Sequence, residues 1–102
     1  MRRPLVFALV LALSATGVWA DQYSDCSQDK DPDRQIRGCT SVIERGKRES
    51  QETRALAYFN RGLAYEKKGD KDQAIGDFRK ALEIDPSDQD AKNWLKKLGV
   101  TP

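Results

Sequence analysis

The chain has 102 residues, 33% of them charged and 38% hydrophobic, with two cysteines and no histidine. Without histidine there is no imidazole to act as base beside a Ser or Cys nucleophile, and no His-bearing metal set. A Gly-rich phosphate loop and a Cys-x-x-Cys pair are missing too, so catalysis, a cofactor and a bound metal are not expected.

Arg2 and Arg3 lead an apolar run from Leu5 to Leu13, and small residues around Val18 and Ala20 precede an abrupt polar turn at Asp21. This is the layout of a secretory signal peptide, with cleavage expected after Ala20. Ser14, Thr16 and Gly17 interrupt the run before it reaches the roughly 20 apolar residues of a spanning helix. No stable membrane insertion is therefore expected after cleavage; the competing reading is an uncleaved N-terminal anchor. Tyr23, Ser24 and Asp25 ahead of the first cysteine do not make a lipoprotein signal.

The 18 basic residues less Arg2 and Arg3 leave 16, against 16 acidic ones, so the remainder from Asp21 onward carries no net charge. That gives no support to a nucleic-acid or anionic-membrane partner, which needs a persistent basic face. The expected location is periplasmic or secreted. There disulfides persist, and Cys26 and Cys39 are expected to pair, closing a loop of the length for which chain entropy gives about 3 kcal/mol. The rival reading of the two cysteines is a redox couple.

In chain order, residues 21–30 read either as a short helix or as an extended strap. Asp31-Pro32-Asp33 gives an N-cap with Pro at the first helical position, opening a helix through Ile36, Cys39, Val42 and Ile43 to a stop at Gly46. A charged connector follows, assigned to residues 47–52. The next helix is expected over Thr53 to Lys68, with Tyr58, Gly62 and Tyr65 on one face, and it ends at Gly69. Gly62 sacrifices about 1 kcal/mol of helix propensity relative to Ala, which argues for a close helix approach.

Asp70 with Gln73 makes a capping-box arrangement for a helix reaching about Ile84, with Ala74, Phe78 and Ala81 inward, stopped by Asp85 and Pro86. Ser87 is the expected cap of a last helix whose apolar stripe is Ala91, Leu95 and Leu98, with Trp94 sealing the edge of the preceding pair. The acidic pairs Asp70 and Asp72, and Asp85 and Asp88, read as caps and turns rather than as a metal site.

Residues 53–86 closely resemble a tetratricopeptide repeat, the 34-residue helix-turn-helix unit. The residues that carry the resemblance are Tyr58, Arg61-Gly62, Tyr65, Ala74, Phe78, Ala81 and Pro86, together with the run Ala81-Leu82-Glu83-Ile84-Asp85-Pro86. Arg61 stands where Leu is usual and Lys71 where an aromatic is usual. The resemblance implies an all-α fold: a short helix-turn-helix α-solenoid, with residues 87–102 as a C-terminal capping helix and tail.

Residues 21–46 then read as a degenerate half-repeat. Aligning Ile36 with Ile75 brings Cys39 onto Phe78, Val42 onto Ala81 and Cys26 onto Tyr65, with an offset about five residues longer than the family period. The resemblance also implies a concave binding face lined by the first helix of each pair. Here that face comprises Leu56, Phe59, Asn60, Leu63, Glu66 and Lys67, with Phe59 the leading contact. The functional expectation is an exported adaptor or scaffold that binds a protein or peptide without catalysis. A self-assembling, homo-oligomeric envelope protein is the alternative, and a thiol-redox protein the third.

Overall fold

The computed structural model describes residues 21–102. The signal-peptide expectation for residues 1–20 lies outside the described residues. Among them, residues 21–27 are helical (α1), followed by α2 (Pro32–Glu44), a 3-10 turn (Gly46–Arg48), α3 (Gln51–Lys67), α4 (Lys71–Ile84) and α5 (Gln89–Lys97); no strand is present among the described residues. The segment 21–27 is thus a helix and not an extended strap.

Each start is fixed by a side chain that accepts an otherwise orphaned backbone N–H. Asp31 accepts from Arg34, Ser50 from Thr53, Asp70 from Gln73 and Asp88 from Ala91. Two of these differ from expectation. Ser50 starts α3 at Gln51, so Gln51 and Glu52 belong to the helix rather than to the connector. Asp88 caps α5 in place of Ser87, whose N–H and hydroxyl both turn back to Asp85 Oδ1 at 3.1 and 2.6 Å. The ends of α3 and α5 are set by Gly69 and Gly99, at φ +80° and +81°. In this left-handed conformation the next N–H folds back, Asp70 to Tyr65 O and Val100 to Leu95 O.

Consecutive helices form antiparallel pairs, and α3 is the axis of the stack. Both α2 and α4 pack on α3 rather than on one another, and α5 packs on α4. Two apolar centres result. Cys26, Cys39, Val42 and Ala57 make the first, with Tyr23 and Ile43 against it. Ala74, Phe78 and Leu95 make the second, ringed by Phe59, Leu63, Tyr65, Trp94 and Leu98.

The two centres are closed by different close approaches. A Cβ on Gly62 would lie 2.7 Å from Cε1 of the fully buried Phe78 ring, which explains a glycine in mid-helix. A Cβ on Gly38 would lie 2.7 Å from Cys26 N and 2.8 Å from Gln22 O, so there the backbones of α1 and α2 themselves meet. Beside that contact the Sγ atoms of Cys26 and Cys39 stand at disulfide-bonding distance, with Cα atoms 4.5 Å apart.

Candidate interaction site

The residues expected to bind a partner are distributed unevenly. Leu56 is 57% exposed, and it is the sole exposed large hydrophobic residue among those described. Phe59 and Leu63, on the same face one and two turns further along α3, are half-buried against the second apolar centre. The Phe59 ring sits 5.5 Å from that of Phe78 at a tilted 50°, and Phe78 in turn stacks on Trp94 at 5.7 Å. These rings form a continuous row from α3 through α4 to α5, so Phe59 offers an edge to solvent, not a free ring. Lys97 Nζ lies 4.7 Å over the outer face of Trp94 and extends the row with a cation.

Asn60 and Glu66 are half-buried, and neither has a side-chain hydrogen bond among the described residues. Lys67 is exposed and donates to the carbonyl of Asp29 in the α1–α2 turn at 2.5 Å. Next to it Lys68 pairs with Asp33. The end of α3 is therefore tied to the first helix pair. The hydrogen bond to Lys68 holds the Asp33 carboxyl below its ordinary range and raises Lys68.

Of the residues expected in the repeat core, Ala74, Phe78 and Ala81 are fully buried, Gly62 is buried and Tyr65 is half-buried. Pro86 is not in the core: it lies exposed in the turn that ends α4. Tyr58 contributes differently from a packing aromatic. The Arg61 guanidinium lies 5.6 Å from its ring centre and 5.9 Å from that of Tyr65.

Arg61 anchors the arrangement that the sequence did not reveal. Its Nε and Nη2 donate to the two oxygens of Asp77 at 2.8 Å each, a bidentate pair, and Nη1 donates to Thr40 Oγ1 at 3.1 Å. One guanidinium thus bridges α2, α3 and α4. Both partners are largely removed from water, the side chains being 18% and 7% exposed, and the Asp77 hydrogen bond raises Arg61 further above its already high ordinary value. Asp77 falls between Ala74 and Ala81 on the inner stripe of α4, but the sequence alone does not single it out from the other acids of that helix.

A second polar cluster fastens α1 to the connector. The Tyr23 hydroxyl and Arg45 Nε both donate to Glu49 Oε1. The hydroxyl from Tyr23 is the leading cause that lowers the Glu49 carboxyl, and the same bond raises Tyr23. Among the described residues no group of His, Cys, Asp and Glu is arranged to hold a metal ion, and no helix is long and apolar enough to cross a membrane.

Stacked antiparallel helix pairs with short turns, small residues at the crossings and a terminal helix over the last pair define a helical-repeat protein. Residues 55–88 match the family model for the tetratricopeptide repeat, so the chain carries one such repeat over α3, α4 and the turn that follows. Repeats of this family generally mediate protein–protein interaction and are generally non-catalytic. Neither a curated protein nor a solved structure matches the chain.

Proposed function

We propose that this chain is an exported, non-catalytic interaction module that holds a protein or peptide partner against the Leu56 side of α3, in the periplasm or outside the cell. The observation that carries the reading is the exposure of Leu56 at the head of the Phe59–Phe78–Trp94 row, on the repeat that matches the family. An apolar side chain left in water beside aromatic edges gives a partner area to bury, and the rings behind it supply a rigid backing. Asn60 and Lys97 flank the row with a hydrogen-bonding amide and a cation that orient what binds. In this reading the Cys26–Cys39 pair is an oxidised cross-link that compensates for the small core of the first helix pair, without a redox cycle.

The test is affinity capture from the envelope extract of the native host with the oxidised protein, wild type against Leu56→Asp. Leu56 is the better probe than Phe59, because Phe59→Arg also removes packing on Phe78. Retention of one specific protein by wild type and its loss in the variant supports the module. Recovery of further copies of the chain alone, with a mass that grows with concentration, replaces it by self-assembly. Export is checked separately: the N-terminus of the protein recovered from the periplasm or medium is expected to be Asp21.

A further inference from the structure

Gln51, Arg54, Tyr58, Arg61 and Tyr65 follow one another along α3 at alternating spacings of three and four, so they share one face of the helix. That face looks toward both α2 and α4, whose main packing is on α3. Arg61 closes the middle of the gap between them, and its needs are met from both sides by Thr40 and Asp77. Arg54 repeats the same position two turns nearer the start of the helix.

Among the described residues no carboxylate or hydroxyl bonds to it there. Because α3 runs antiparallel to both neighbours, the residue of α4 that stands to Arg54 as Asp77 stands to Arg61 is Ile84. On the α2 side the corresponding residue is Lys47, where the chain has already left the helix for the 3-10 turn Gly46–Arg48. Arg54 Nε is buried without a hydrogen-bond partner, and among the described residues its guanidinium has no ion pair. The space around it is a groove of about 380 Å³, polar over most of its lining, bounded by Gln51, Lys80 and Glu83 together with Ile43, Tyr58 and Ile84. Lys80 Nζ lies 3.4 Å from Glu83 Oε1, and the Glu83 side chain is 70% exposed.

The geometry points to a carboxylate-binding site in this groove, with Arg54 as the principal donor and an acidic side chain of a partner polypeptide, flanked by apolar residues, as the ligand. A guanidinium whose buried Nε–H lacks an acceptor is matched by a planar carboxylate, and the pair that Arg61 makes with Asp77 shows the arrangement already built once on the same stripe. Ile43 and Ile84 give the residues flanking that carboxylate limited apolar contact within a lining that is polar overall. Glu83 at the rim disfavours a doubly charged phosphate. The site lies on the α2–α4 side of α3, distinct from the Leu56 row that faces α5, and it stands whether or not that row binds a partner.

The experiment follows the Arg54 Nε–H resonance of the isotopically labelled protein during titration with the capped peptide Ac-Gly-Leu-Asp-Leu-Gly-NH2, its Asp→Asn counterpart, and inorganic phosphate. Saturable movement with the acidic peptide is expected, at least about tenfold weaker with the Asn peptide. Arg54→Gln, read at the Tyr58 and Ile84 amides, should abolish the response. Glu83→Gln should tighten it by removing the rival carboxylate, and Leu56→Asp should leave it unchanged. Equal response to both peptides, no response to either, a stronger response to phosphate, or full binding by a folded Arg54→Gln variant would each overturn the assignment. The comparison of the two peptides uses wild-type protein alone, so it decides the matter even if the variant does not fold.

Discussion

The two helix pairs on either side of the connector meet the same requirement, a close crossing of antiparallel helices, by opposite means. In the second pair Gly62 on the first helix admits the Phe78 ring, and the space is filled by aromatic area. In the first pair the glycine is on the second helix, Gly38, and what it admits is the backbone of α1, with Cys26 and Cys39 at bonding distance alongside. A ring tolerates small displacements and spreads its contribution over many neighbours. A backbone contact cannot move without moving a helix. The first pair therefore depends on a few close contacts of backbone and of the two sulfur atoms, and the second on distributed packing plus one ion pair largely removed from water.

Asp77→Ala should have the largest effect, because it leaves the Arg61 guanidinium buried without its acid. About 3–5 kcal/mol of stability is expected to be lost, read by denaturant unfolding, with increased amide exchange in α2, α3 and α4 together. The double variant Arg61→Leu with Asp77→Ala restores the residue usual at the repeat position and should recover most of that loss; failure to recover would mean that the bridge to Thr40, not the pair itself, sets the register. Next is Cys26→Ser. It should cost about 3 kcal/mol, with exchange rising in α1 while α4 and α5 stay protected. An effect spread evenly over all helices would erase the distinction between the two pairs.

The glycines sharpen the same contrast. Gly38→Ala drives a methyl into backbone and should cost about 3 kcal/mol, whereas Gly62→Ala meets a ring, gains helix propensity, and should cost about 1 kcal/mol. Equal melting temperatures for the two variants would refute the difference in rigidity.

A further effect, smaller than those of Asp77, Cys26 and Gly38, concerns pH. Glu49 is held below its ordinary value, so its stabilising contribution is complete above the unfolded carboxylate pKa of about 4.3 and is lost as pH falls through the lower folded value. Tyr23 is raised, so its contribution is present below about 10 and is lost as pH rises through the higher folded value. Tyr23→Phe should shrink the alkaline limb to the part that the raised Lys68 sustains and flatten the acid limb to the part that Arg45 and the Asp33–Lys68 pair sustain, at a cost of about 1.5 kcal/mol near neutrality.

The helices and their order were legible because each rests on local chemistry: a capping oxygen at Asp31 and Asp70, a left-handed glycine at Gly69 and Gly99, and an apolar stripe of the right period between them. The cap of α5 was misplaced by one residue where Ser87 and Asp88 compete for the same role, and the start of α3 by two because the capping role of Ser50 was not assigned. The charged seam was not legible. Arg61 announces itself only as a departure from an expected leucine, and whether Asp77, Asp72 or Glu83 answers it depends on which side of α4 the turn at Asp70 presents. The uneven exposure of the expected stripe was not legible for a related reason. Periodicity places Leu56, Phe59 and Leu63 on one face but does not say that Phe59 and Leu63 pack against the second apolar centre while Leu56 stays in water.

The terminal helix also bears on how this fold can be extended. The side of α5 turned away from α4 carries exposed Gln89, Asp90, Asn93, Lys96 and Lys97. A further repeat grafted behind it by a protein engineer would have to dehydrate three charges and two amides before any apolar surface met. Stacking a designed repeat on that side would first require recoding α5 with small and apolar residues at those five positions.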